Sequence, residues 1–138
     1  MFNRRLSSPV MWTHLFIGAG VALWAQTHIL AAALLAASTG CSLLHHARGE
    51  SDPFCYRLDV AMATVTLVIT LLLVAPIATN HEAISLALVA ALAFFFRDMA
   101  KAVASPAAYD YLHSLWHVCV GVGQCMMAMM YSANLSVT

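Results

Sequence analysis

Apolar and polar positions alternate along the chain in long blocks. Five apolar runs cover about 9–26, 28–46, 58–78, 82–97 and 111–132, separated by short polar segments. Each run is close to the ~17–25 residues that a helix needs to cross a bilayer; the fourth is the shortest. The pattern predicts an all-α, polytopic transmembrane bundle of five helices, forming one domain over residues 1–138. Trp12 and Trp24 flank the first run as interfacial anchors, and Tyr56, Tyr109, Tyr111 and Tyr131 lie near the ends of others. Pro76 closes the third helix and Pro106 interrupts the linker before the fifth. Small residues, among them Gly18, Ala22, Gly40 and Gly121, allow helices to approach closely.

Composition agrees with this pattern. The chain is 62% hydrophobic and 9% charged, whereas a soluble domain is about half apolar and about a quarter charged. Formal net charge is zero, which gives no support to nucleic-acid binding. Arg4 and Arg5 precede the first run as they would in a signal peptide, but no clean cleavage site follows at Trp24-Ala25-Gln26, so this run is read as a transmembrane helix. Threading the five runs back and forth puts all six basic residues, Arg4, Arg5, Arg48, Arg57, Arg97 and Lys101, on one side. The positive-inside rule makes that side, and the N-terminus, cytoplasmic. Cys41, Cys55, Cys119 and Cys125 form no CxxC motif and read as reduced, buried thiols.

The polar residues within the apolar runs converge on that same side. His113 and His117 are four apart, which puts both imidazoles on one helix face. Ser42 and His46 share a face near the end of the second helix, extended by Ser38. Asp59 begins the third helix, and Thr66 and Thr70 continue its polar stripe. Ionisable groups at membrane depth are costly and point to function. Three imidazoles (His46, His113, His117) plus a water would suit a catalytic zinc ion, which takes nitrogen ligands at ~2.0–2.1 Å with a fourth position open. Asp59 would then move the water's proton, and Ser42 would donate a hydrogen bond to a developing oxyanion. Blander roles exist: Asp59 as a helix cap or partner of Arg57, and Ser42 as a helix–helix hydrogen bond. His14, His28, His45 and His81 read as interfacial polar groups, and His45 lies ~100° around the helix from His46.

Taken together, Ser-x3-His at one helix end, Asp at the next helix start and His-x3-His in the last helix resemble a superfamily of membrane metal hydrolases. It joins alkaline ceramidases, progestin/adipoQ receptors and post-GPI-attachment lipases. The segments SLLHHA, RLDV and HSLWH look closest to the post-GPI-attachment phospholipase (transmembrane-protein-eight) branch. The resemblance spans about residues 38–124. It implies zinc held by His46, His113 and His117, roles for Ser42 and Asp59 beside it, and hydrolysis of an amide or ester bond in a membrane lipid. Members of the superfamily have seven helices, with three between the Asp helix and the His-x3-His helix; this chain has one there. Removing a pair of helices preserves chain direction, so the expected ligands still meet. The alternatives are a receptor or scaffold with a structural metal, and a haem carrier. The haem reading is weak: His14 and His28 are fourteen apart, but the Gln26-Thr27 helix end falls between them.

Overall fold

The computed structural model describes residues 9–48 and 52–137. They form five helices and no strand: α1 (Pro9–Ala25), α2 (Ile29–Ala47), α3 (Pro53–Val74), α4 (Asn80–Ala102) and α5 (Pro106–Leu135). Helices α2 to α5 are long and apolar enough to cross a membrane; α1 is apolar but shorter within the described residues.

Helix boundaries follow local capping chemistry. His28 caps α2, its Nδ1 accepting the Ala31 N–H at 3.2 Å. Asp52 caps α3 by accepting the N–H groups of Phe54 and Cys55, and Pro53 occupies the first turn, where its missing N–H costs nothing. The third helix therefore starts earlier than hydropathy suggested, and Asp59 is not its cap. Thr79 and Glu82 form a reciprocal capping box that starts α4, and α4 continues past the expected end to Ala102. Pro106 does not interrupt a linker: with Ser105 as cap, it opens α5. Proline breaks a helix interior, whereas at the first helical position its fixed φ favours initiation.

α1, α2, α3 and α5 close a ring, α1 packing on α2 and α5, and α3 on α2 and, more lightly, α5. α4 leans on α5, and among the described residues it has little contact with α3 despite the short turn joining them. Short connections make successive helices antiparallel, so the starts of α1, α3 and α5 share one end with the finishes of α2 and α4.

Two glycines seat α1. A Cβ on Gly121 would lie 2.8 Å from the carbonyl carbon and Cβ of Phe16, so α5 meets the α1 backbone directly. A Cβ on Gly20 would come within 3.0 Å of Gln124 Cβ and 3.3 Å of Leu35 Cδ2. The apolar core includes Ile17, Trp24, Leu35, Val74 and Met127. Elsewhere the usual arrangement is inverted. Buried positions hold His14, Ser42, Thr66, His117 and Gln124, while Leu15, Phe16, Leu72, Leu88 and Phe95 face outward. A soluble monomer rarely exposes apolar patches of more than a few hundred Å²; this surface suits hydrocarbon.

Candidate metal centre

The helix stripes put polar side chains at one end of the ring. On α1, Val10, His14, Ile17 and Trp24 follow one buried face. On α2 that face holds Leu35, Ser38, Ser42 and His46, and on α5 it holds Ser114, His117, Gly121 and Gln124. Near the ring's polar end the three stripes present His14, His46 and His117 to one another. Their ligand nitrogens all lie within 4.8 Å of one another, and all three residues are buried.

His46 Nε2 and His117 Nε2 are 3.2 Å apart. The edge of a tetrahedron with ~2.0–2.1 Å bonds is about 3.3–3.4 Å, so this separation already matches two ligands on one ion. His14 is oriented from both sides. Its Nδ1 lies 2.8 Å from the Val10 carbonyl oxygen. A carbonyl only accepts, so Nδ1 carries the hydrogen and, in the neutral ring, Nε2 presents a lone pair. The Ser42 hydroxyl, 3.0 Å away, donates to that nitrogen. A ring N–H fixed on a backbone carbonyl is how metal-binding histidines are commonly held. The donor set therefore fits a metal ion that takes nitrogen ligands.

His46 and His117, expected from the sequence as ligands, thus come together. The third member of the converging group is His14 rather than His113. His113 sits one turn nearer the helix start, its ring 5.0 Å from that of His46 and 4.9 Å from that of His117. It stacks on Tyr109 at 5.1 Å and packs against Trp116 at 5.0 Å, which holds it at the rim. The His14 ring reaches deeper, 4.2 Å from that of His117, because the Gly121 contact brings α1 close. Asp59 interacts with Ser42, His46 and His45, on the α3 side of the cluster. Both expected catalytic residues, Ser42 and Asp59, therefore border the histidines.

The remaining histidines separate by role. His28 is a helix cap, and His81 is exposed in the first turn of α4. His45 is buried, its ring 5.6 Å from that of Tyr56, and its Nδ1 has no hydrogen-bond partner among the described residues. His14 was the residue missed in sequence. A lone histidine on an apolar helix has no spacing motif; its only signal was topological, since the helix order puts the start of α1 level with the other clusters.

Beyond the cluster the ring is closed by a hydrogen-bonded layer. The Trp24 indole donates to Gln124 Oε1 at 3.2 Å, and Gln124 Nε2 donates to Thr70 Oγ1 at 3.4 Å. Thr70 donates onward to the Thr66 carbonyl at 2.9 Å, and Thr66 to the Leu34 carbonyl at 3.2 Å. Comparison of the chain with protein-family models, curated proteins and solved structures found no match.

Proposed function

We propose that this chain is a zinc-dependent integral-membrane hydrolase that cleaves an acyl amide or ester bond of a lipid, akin to the ceramidase, progestin/adipoQ receptor and post-GPI-attachment lipase superfamily. The observation that carries the reading is the convergence of His14, His46 and His117 at one end of an apolar bundle. When bound, the ion supplies Lewis acidity and a water acidified to a pKa of about 7. Asp59, bordering the cluster, would be placed to accept the proton of an attacking water and return it to the leaving group. If His14 Nε2 held a metal, the Ser42 hydroxyl, which lies 3.0 Å from that nitrogen and also beside Asp59, would be available to donate to a substrate carbonyl oxygen. The sparse contact between α3 and α4 supports sideways entry of an acyl chain from the bilayer. Arg48, Arg57, Arg97 and Lys101 fall at the cluster's end in helix order, which supports a cytoplasmic-facing site.

Purified protein should hold about one zinc ion per chain and release fatty acid from at least one of a panel of ceramides, phospholipids and GPI-like lipids. Undiminished hydrolysis by metal-free protein would overturn the reading. The second reading is a non-catalytic receptor or scaffold in which the ion pins three helices; the same three-helix origin of the ligands favours it. Chelation would then lower the unfolding temperature with no turnover on any lipid in the panel.

A further inference from the structure

At the end of the bundle opposite the histidines, α1 and α5 part. They run in the same direction and are held together at mid-length by the Gly20 and Gly121 contacts. Past the Trp24–Gln124 bond, a cleft of about 300 Å³ opens between the last turn of α1 and the last turns of α5. Its polarity changes along its length. Leu23 and Met129 line the part nearer mid-bundle, while Gln26, Thr27, Ser132 and Ser136 line the mouth. The 30 residues of α5 make it about 45 Å long at 1.5 Å per residue, against a hydrocarbon core of about 30 Å. Its final turns therefore stand in the headgroup layer, and the cleft runs from hydrocarbon into that layer.

The mouth is rich in acceptors and has no charge. The Ser136 hydroxyl donates to the Ala133 carbonyl at 2.7 Å, so its oxygen presents lone pairs to the cleft. Gln26 Nε2 donates to the Ala22 carbonyl at 3.3 Å, which leaves Oε1 as an acceptor. No lining side chain is charged, and neither helix has a basic residue in its last turn. A phosphate or carboxylate here would meet acceptors and the negative dipole ends of two helices, with no cation to balance it. Zwitterionic headgroups carry the same phosphate. An uncharged hydroxyl donates to these acceptors without that cost, and its apolar body continues onto Leu23 and Met129.

We propose that this cleft seats a neutral, hydroxyl-bearing membrane lipid of the diacylglycerol class. Its free hydroxyl meets Ser132, Ser136 and Gln26, and the start of an acyl chain lies on Leu23 and Met129. The site shares no residue with the histidine cluster and depends on neither a metal nor hydrolysis. The test uses the full chain in phosphatidylcholine vesicles doped with diazirine-labelled diacylglycerol, with cross-links mapped by mass spectrometry. Labelling should concentrate on residues 23–27 and 128–136. Excess unlabelled diacylglycerol should suppress it, whereas phosphatidylserine and free glycerol should leave it unchanged. Ala133→Leu, which fills the cleft, should abolish this labelling. Ser132→Ala should reduce it about fivefold, the loss of roughly one hydrogen bond. Both residues are exposed, so the core is kept, and circular dichroism checks helical content. Labelling spread evenly over the lipid-facing helices, or undiminished in Ala133→Leu, overturns the proposal. Equal competition by phosphatidylserine does the same, since the cleft would then be indifferent to charge. Suppression by free glycerol would make it a site for a soluble polyol and overturn the lipid assignment. The competition arms need only wild type, so they decide the matter even if a variant unfolds.

Discussion

The two polar layers of the ring are built from similar helix faces but do different things. In the lower layer, Trp24, Gln124, Thr70 and Thr66 pass hydrogen bonds from donor to acceptor until the chain ends on a backbone carbonyl. Each of these donors has a protein acceptor, the Thr70 hydroxyl being shared between the Thr66 and Leu67 carbonyls, so the layer is satisfied by protein alone. In the upper layer, nitrogen faces nitrogen: His46 and His117 meet at 3.2 Å, and the His14 lone pair is met only by a hydroxyl. One of the two facing nitrogens can donate to the other, and the three rings together could hold a metal ion. The contrast separates a polar layer whose bonds join helices from one whose converging nitrogens could hold a metal ion, although burial alone does not distinguish them.

Three experiments probe that contrast, beginning with the largest effect. His117→Ala should abolish stoichiometric zinc, read by metal analysis of purified protein, because this residue supplies one of the three converging nitrogens. Gly121→Val should come next, because a Cβ there lies 2.8 Å from the Phe16 backbone. Overpacking of this kind costs about 1–3 kcal/mol, and displacing α1 should also weaken zinc binding as His14 retreats. Gln124→Leu should leave the Trp24 and Thr70 groups without their partner and destabilise the bundle by about 0.6–2 kcal/mol in detergent unfolding, with zinc affinity unchanged. Loss of zinc in Gln124→Leu would erase the distinction between the layers.

The smallest effect is expected outside both layers. The Cys55 thiol, the Cys55 and Phe54 N–H groups and the Arg48 guanidinium hold the Asp52 carboxyl below its ordinary range. A carboxyl whose folded pKa is depressed contributes stability above its unfolded value, and the contribution fades as pH falls through the folded value. Asp52→Asn should therefore unfold slightly more easily than wild type at neutral pH, and the gap should narrow below about pH 4.

Much of this arrangement was legible from hydropathy and helix spacing. All five helices lie where the apolar runs do, because a bilayer-length apolar block has few alternatives. Ser42, His46, Asp59 and His117 were placed at one end by helix alternation alone, and they meet there. What escaped was local or long-range. Pro106 reads as a break, because its role as a first helical residue depends on the cap at Ser105. His14 joined the cluster through a glycine more than a hundred positions away. That contact depends on how deeply α1 sinks against α5, which periodicity within a single helix does not encode.

The order of synthesis has a consequence for α5. It is translated after the other four helices, yet it supplies the seat for α1, the support for α4 and His117. Until it enters, α4 has little protein to rest on and the opposing imidazoles of α1 and α2 have nothing to close against. A site built from all three imidazoles therefore requires α5, although α1 and α3 already pack on α2 without it.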